Sequence, residues 1–192
     1  MTRFPQTAKR ILAIDPTSHG FGFAVLEGSH RLIDWGMKHC RENKNEQCRE
    51  EVLNLLAHYG PEVLIVEDVG TKGCQRRTRV RRLIESLCTL AKRHHLRVKR
   101  IPRRCVQRCF ALGRPATKRQ VAEAVAERFP ELEPRLPPTW DKLVKRRHLA
   151  DSEDERMGIF DAVAFALTFY ERSHRTCRTS SPIPLTAPSS NA

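Results

Sequence analysis

The sequence predicts an α/β domain built on a mixed five-stranded sheet with helices on both faces. Two short, nearly continuous apolar runs at 10–15 and 63–67 are typical of strands that are buried on both faces. Two further stretches with strand character, at 21–26 and 31–39, follow the first run after short turns. Helical spacing of apolar residues begins only after residue 43, and from there helices alternate with strands. This order is typical of a sheet that is covered by helices.

The first half of the chain is predicted to hold three antiparallel strands, one helix and a fourth strand. Apolar residues recur at helical spacing from 43 to 59, and Gly60-Pro61 ends that helix. The fourth strand, at 63–67, is reached through the helix. A strand that follows a helical crossover is expected to run parallel to an earlier strand.

The second half is predicted to alternate helices, one strand and loops. Thr117 and Gln120 have the spacing of a capping box, which marks the start of a helix. The predicted elements are, in order, a helix over 76–93, a strand over 96–101, a short helix over 104–112, a helix over 117–129, a proline-rich loop over 130–139, a basic stretch over 141–148 and a helix over 156–170.

The chain of 192 residues is long enough for one domain with a substantial core. We expect a loose lead-in over 1–9, a domain over 10–172 and a disordered tail over 173–192, which is rich in Ser, Thr and Pro. The N-terminal apolar run is too short for a signal peptide or a membrane span. Seven scattered cysteines without a CxxC pair are typical of reduced thiols. The expected location is the cytoplasm, without a membrane partner.

Basic residues dominate the composition and are concentrated in one stretch. The formal net charge is +13, and between residues 72 and 108 there are 14 Lys or Arg residues against one acid, Glu85. Such an excess favours a polyanionic partner, and nucleic acid is the expected one. The alternative is a solvated helix face, but arginines without interspersed acids are unusual for one. The residues expected to contact nucleic acid are Lys72, Arg76, Arg77, Arg81, Arg82, Arg104 and Arg108.

Two predicted strands each end an apolar run in an acid, Asp15 and Glu67. If these strands are parallel neighbours, both acids emerge at one sheet edge, where open α/β sheets place their sites. Asp161 lies in a helix that is otherwise apolar, which is anomalous for an acid without an evident partner. Asp154 lies seven residues earlier, which is two turns back on the same face if the helix reaches that far. The alternative is that the strand-end acids are caps or salt-bridge partners of the nearby arginines.

Carboxylates without an accompanying set of His or Cys predict a hard divalent cation, Mg2+ or Mn2+. The predicted ligands are Asp15, Glu67, Asp161 and Asp154. Two such ions about 3.5–4 Å apart can activate a water molecule and stabilise the leaving oxygen of a phosphodiester. The sequence therefore predicts a metal-dependent nuclease.

Four motifs in order resemble the RNase H-like superfamily and, within it, the RuvC-type Holliday-junction resolvases. Residues 14–18, with Gly22, resemble the first strand and turn of that family. Residues 65–68 resemble its fourth strand, and residues 161–166 resemble its C-terminal helix motif. Residues 104–121 resemble the segment that carries a basic residue toward the scissile phosphate. The likeness covers about residues 10–170.

The resemblance implies a homodimeric endonuclease that cuts branched DNA, such as Holliday junctions. Asp15, Glu67 and Asp161 would hold the metal, with Asp154 as a fourth acid, and all four are expected to be catalytic. Lys118 would assist at the phosphate and is expected to contact nucleic acid.

The chain departs from the family pattern at five places, one of which is a second basic position that is Gln107 here, with Arg108 next to it. Thr17 replaces the usual glycine, and Gly158 replaces the acid that normally precedes the last Asp by three residues. No aromatic wedge follows the fourth strand, and residues 130–150 look like an insertion. Two alternatives therefore stay open: an RNA-processing nuclease like the YqgF-type relatives, and a non-catalytic nucleic-acid-binding module that kept the fold.

Overall fold

The computed structural model describes most of the predicted domain. Several sequence predictions lie outside the described residues: Lys72, Asp154, the basic stretch over 141–148 and the part of the predicted tail beyond residue 178. So do the start of the lead-in and most of the predicted insertion. The described residues are 9–71, 74, 76–111, 113–137 and 156–178, with 174–178 described by backbone alone.

The described chain forms five strands and five α-helices, in the order predicted from the sequence, and one 3-10 helix. The strands are β1 (Arg10–Pro16), β2 (Gly20–Glu27), β3 (Arg31–His39), β4 (Val63–Glu67) and β5 (Arg97–Ile101). The helices are α1 (Lys44–Tyr59), α2 (Thr78–Arg93), α3 (Arg103–Cys109), α4 (Lys118–Arg128), the 3-10 helix (Pro130–Arg135) and α5 (Met157–Arg178).

The sheet is mixed, with the strand order β3-β2-β1-β4-β5. The first three strands pair antiparallel, whereas β4 runs parallel to β1 and β5 runs parallel to β4. The predicted mixed five-stranded sheet is therefore confirmed. Ile14 pairs with Val66 in the parallel register, so the next residues, Asp15 and Glu67, lie near the ends of β1 and β4 at the same edge of the sheet.

Helices cover both faces of the sheet, and the alternation of strand side chains divides the core into two halves. Leu12 and Leu64 point to one face and pack with the apolar residues of α1 and α2. Ile11 and Ile65 point to the other face and pack with α4 and α5. Helix α5 is buried continuously from Gly158 to Thr168. Among the described helices, none is both long and apolar enough to cross a membrane.

Several boundaries differ from the sequence prediction; α2, for example, begins at Thr78 and not at residue 76, and α3 spans Arg103–Cys109 and not 104–112. Residues 130–139 were predicted as loop, but Pro130–Arg135 forms a 3-10 helix that buries Leu132. Proline at the first helical position is compatible with this because its fixed φ suits a helix and its missing N–H would have no partner there. Helix α5 continues to Arg178, past the predicted domain boundary at 172.

Candidate active site

Three acids lie together inside the protein at the edge of the sheet where β1 and β4 end. Asp15, Glu67 and Asp161 are only 2%, 4% and 6% exposed, although most acids in proteins lie in solvent. Asp15 and Glu67 alternate in phase with Ile11 and Ile65, so their side chains point to the face that α5 covers. Asp161 is carried by α5. The sequence prediction of a shared location for these acids agrees with this geometry.

A direct backbone contact between α5 and β2 brings Asp161 to the sheet. Gly22 pairs with Asp15 in the antiparallel register, and a Cβ atom at Gly22 would overlap the carbonyl group of Gly158. A Cβ atom at Gly158 would lie 3.2 Å from the methyl group of Thr17. Gly158 stands where the resembled family has its fourth acid. In this chain the position is instead a contact point between the helix and the sheet.

Arg76 precedes α2 and reaches back into the acidic group. Its Nε donates to Oε2 of Glu67 at 2.6 Å, and one terminal nitrogen donates to Oδ1 of Asp15. The other terminal nitrogen donates to the Pro16 carbonyl at 3.1 Å. The side chain is 19% exposed, so these ion pairs are shielded from water.

Arg103 is the first residue of α3 and contacts all three acids. One terminal nitrogen donates to Oδ1 of Asp161 at 2.9 Å, and the other lies 3.4 Å from Oδ1 of Asp15. Its Nε lies 3.4 Å from Oε1 of Glu67, and the side chain is 23% exposed. The guanidinium group also lies over the Phe165 ring, at 5.7 Å from its centre. We call these five charged side chains the carboxylate–arginine cluster: Asp15, Glu67, Asp161, Arg76 and Arg103.

This environment shifts the pKa values of the two strand-end acids, Asp15 and Glu67, in opposite directions. Burial raises the pKa of Asp15 to about 6, because it outweighs the opposing attraction of Arg76. Burial also acts to raise the pKa of Glu67, but the charges and hydrogen bonds of Arg103 and Arg76 outweigh it and lower that pKa. The ionised form of Glu67 is therefore stabilised by its surroundings, whereas the ionised form of Asp15 is not. Asp15 is the acid whose ionised form a bound cation would stabilise most.

Lys118 begins α4 beside the cluster. The capping box predicted from the sequence is present: the Thr117 hydroxyl accepts from the backbone of Gln120, and the Gln120 side chain accepts from the backbone of Thr117. Desolvation lowers the pKa of the Lys118 amine, against the attraction of Asp161, although the residue as a whole is exposed. Lys118 thus combines access to solvent with proximity to the acids, as its predicted role requires.

The other described residues that were predicted to contact nucleic acid lie at the start of α2 and in α3. Arg77, Arg81 and Arg82 are exposed at the start of α2, and the Arg81 side chain donates to the backbone carbonyls of Arg76, at 3.0 Å, and of Cys74. The exposed residues of α3 include two more of the predicted contacts, Arg104 and Arg108.

Two arginines at the site were not predicted from the sequence. Arg103 follows β5 at the same sheet edge as the acids, and that position after a parallel strand was the available signal. Arg79 donates to the side chain of Asn45 at 2.9 Å and to the Thr17 carbonyl, which ties α1 and the turn after β1 to α2.

The donor chemistry of the cluster fits a hard divalent cation, because the acids offer only oxygen ligands in a buried position. In the present side-chain arrangement, however, no three His, Cys, Asp or Glu residues within the described ranges are placed to hold a metal ion. The guanidinium groups bridge the acids instead. Both interpretations made from the sequence, a gathering of acids and salt bridges to nearby arginines, thus describe the same site.

Comparisons with known proteins place this geometry in a familiar fold. No protein-family model matches the sequence, and no curated protein is significantly similar to it. Among solved structures, Thermus thermophilus RuvC in complex with a Holliday junction substrate superposes with a TM-score of 0.61 and 20% identity, over 86% of this chain and 96% of that chain.

Resolvases from other sources are also similar in structure. The fowlpox virus resolvase, solved with Holliday junction DNA, has a TM-score of 0.51 and 14% identity over 85% of this chain and 98% of that chain. The yeast mitochondrial Holliday junction resolvase Ydc2 has a TM-score of 0.52 and 13% identity over 90% of this chain and 85% of that chain. The chain therefore has the RNase H-like fold in the form found in the RuvC-type resolvases.

Proposed function

We propose that the chain is a metal-dependent endonuclease that hydrolyses phosphodiester bonds in branched DNA such as Holliday junctions. The observation that carries the proposal is the meeting of Asp15, Glu67 and Asp161, all buried, at one edge of an RNase H-like sheet. Three acids inside an apolar core are costly to keep, and that cost is understandable where they bind a cation.

The residues of the site have separate roles in this proposal. Asp15, Glu67 and Asp161 supply the oxygen ligands. When bound, Mg2+ or Mn2+ supplies activation of a water molecule and stabilisation of the leaving oxygen. Lys118, which is exposed beside the acids, donates to the scissile phosphate and orients it. Asp154 supplies a fourth carboxylate in this proposal.

The exposed arginines before and within α2 form a surface that fits a phosphate backbone, together with Arg104 and Arg108. Each phosphate that they neutralise releases condensed counterions, so binding should weaken steeply with salt. We further propose that the chain acts as a homodimer, because symmetric cutting of a two-fold junction needs two sites. Light scattering of the protein on a four-way junction measures that stoichiometry.

A cleavage panel tests the nuclease. The purified chain is offered a four-way junction, a flap, a duplex and RNA versions of the same sequences, each with Mg2+, Mn2+ or EDTA. We expect metal-dependent cutting of the branched DNA, and Asp15→Asn should abolish cutting while sparing binding.

The panel also has outcomes that reject the proposal. Binding of all these substrates without cutting in either metal would contradict a nuclease. Preferential cutting of the RNA versions would favour the RNA-processing alternative, since the same acids serve both. Arg31→Gln is a matched control, because it removes one arginine at the opposite end of the sheet and should leave cutting unchanged.

A non-catalytic nucleic-acid-binding module is a second candidate, and one observation favours it. Arg76 and Arg103 already compensate most of the charge of the three acids, and Gly158 supplies no further acid. Titration with Mn2+ separates the two candidates, since the module predicts no binding that depends on Asp15 and Glu67.

A further inference from the structure

The carboxylate–arginine cluster holds three acids against two guanidinium groups, which leaves a net charge of about −1 when all three acids are ionised. The cluster is therefore close to electrically satisfied without any bound ion. A buried group of acids that already has internal counter-charges is not an open cation site. Binding of a divalent cation must change at least one of these ion pairs.

The arginines occupy the same oxygens that a cation needs. Arg76 and Arg103 both point at Oδ1 of Asp15, and each takes one carboxylate oxygen of Glu67. Like charges a few ångströms apart repel strongly in a position shielded from water, and a divalent ion doubles that repulsion. A divalent cation beside Asp15 and Glu67 and the Arg76 guanidinium in its present place therefore exclude each other.

The two arginines are attached in different ways. Arg103 lies in the first turn of α3, contacts all three acids and lies over the Phe165 ring of α5. Arg76 lies outside α2, and within the described residues its side chain is hydrogen-bonded to the two strand-end acids and to the Pro16 carbonyl. Arg76 can therefore leave by side-chain rotation without disturbing a helix, whereas Arg103 is held on both sides.

We propose that Arg76 is a displaceable counter-cation. It stabilises Asp15 and Glu67 while the site holds no metal, and it leaves when a divalent cation binds them. Arg103 stays and keeps Asp161 oriented as a positioning residue. The inference rests on the proposed metal site. The released Arg76 guanidinium would lie beside the exposed arginines of α2, where it could bind a phosphate of the nucleic acid.

Titration of the metal-free protein with Mn2+, followed by electron paramagnetic resonance of the free ion, tests the competition directly. We expect Arg76→Gln to bind Mn2+ at least about tenfold more tightly than the wild type, because it removes the competing charge. Arg76→Lys keeps that charge and should stay closer to the wild type. Arg31→Gln is the matched control and should bind like the wild type. Equal or weaker binding by Arg76→Gln would overturn the inference.

A second measurement needs no variant. Nuclear magnetic resonance of the arginine Nε–H groups, which are hydrogen-bonded to Glu67 in both arginines, follows each side chain during titration with diamagnetic Mg2+. We expect the Arg76 signal to shift and its hydrogen exchange to become faster, while exchange at Arg103 remains slow. An Arg76 signal that is unchanged at saturating Mg2+ would overturn the inference even if Arg76→Gln failed to fold.

Failure of the inference can be told apart from failure of the nuclease proposal. Release of Arg76 by Mg2+ without any cleavage would support the displaceable counter-cation and reject the nuclease. Metal-dependent cleavage with an unchanged Arg76 signal would support the nuclease and reject the displacement.

Discussion

Arg76 and Arg77 are neighbours in the chain, yet the Arg76 guanidinium lies among buried acids whereas Arg77 is exposed. Arg103 and Arg104 repeat the same division at the start of α3. In each pair the inner arginine meets carboxylates in a shielded position, where electrostatic energies are large, and the outer one is surrounded by water. One basic stretch therefore contains two functional classes: inner arginines that determine the charge of the site, and outer arginines that are available to a ligand.

The largest difference between the two classes should be in stability. Arg103→Ala leaves three buried acids with one arginine, and breaking a buried ion pair by removing one partner costs about 3–5 kcal/mol. Arg104→Ala removes an exposed side chain and should change the free energy of unfolding by less than about 0.5 kcal/mol. Urea denaturation of both variants at neutral pH, without divalent metal, measures this difference. Equal effects of the two substitutions would show that the cluster does not stabilise the fold.

The next largest effect should be on the pH dependence of stability. It depends on how strongly the inner arginines stabilise the ionised forms of Asp15 and Glu67. The folded state holds the pKa of Asp15 at about 6, above its ordinary value of 3.8. Ionising Asp15 therefore costs stability as pH rises from about 4 to 6, and this cost persists above that window. Asp15→Asn removes the cost, so it should raise the free energy of unfolding by about 1–3 kcal/mol at pH 7.5. The gain should disappear below about pH 4.

Glu67 should respond in the opposite direction. Arg103 and Arg76 lower its pKa below the ordinary value of 4.5, so its ionised form contributes stability at neutral pH that is lost as the pH falls through the lowered pKa. Glu67→Gln should therefore destabilise the protein at pH 7.5 and have little effect in strong acid. Unfolding curves of both variants across pH 3 to 8 measure the two signs. If both substitutions destabilised the protein at pH 7.5, the arginines would stabilise the ionised form of Asp15 as strongly as that of Glu67.

The acids were predictable from the sequence because their signal is local. An apolar strand that ends in Asp15 or Glu67 constrains where that side chain emerges, and the helical crossover makes β1 and β4 parallel neighbours. Asp161 was detectable because an acid inside an otherwise apolar helix is buried, and buried acids are rare without a partner. The placement of helices on both faces follows from the same local patterns, whereas those patterns left the full strand order open.

The inward arginines were not predictable in the same way. Arg76 was assigned to the outer face by extending the helical spacing back to residue 76, but α2 begins only at Thr78, so that spacing does not apply to it. Arg103 follows β5 at the same sheet edge as the acids, but that position alone does not separate it from Arg104, the next residue. The contact of Gly158 with Gly22 is likewise a tertiary event between distant segments, although the glycine itself was visible as a departure from the family pattern.

Lys118 belongs to neither class of arginine, because it is exposed and yet lies close to Asp161. If it orients the scissile phosphate, Lys118→Gln should lower the cleavage rate by about 100-fold, with stability unchanged within about 0.5 kcal/mol. Lys118→Arg should recover part of the rate, since it restores the charge. Single-turnover cleavage of a four-way junction under saturating protein measures the effect. A Lys118→Gln rate equal to that of the wild type would remove Lys118 from the reaction.

The smallest effect on stability, and the clearest on binding, is expected from the outer arginines. The double variant Arg77→Glu/Arg82→Glu changes two exposed residues and should leave the unfolding curve unchanged. If each contacts one phosphate, the slope of log binding constant against log salt should become shallower by about 2. Fluorescence anisotropy with a labelled junction from 50 to 300 mM salt measures that slope, with Arg31→Gln as control. An unchanged slope would mean that the outer arginines contact only water, and that the phosphates bind elsewhere on the surface.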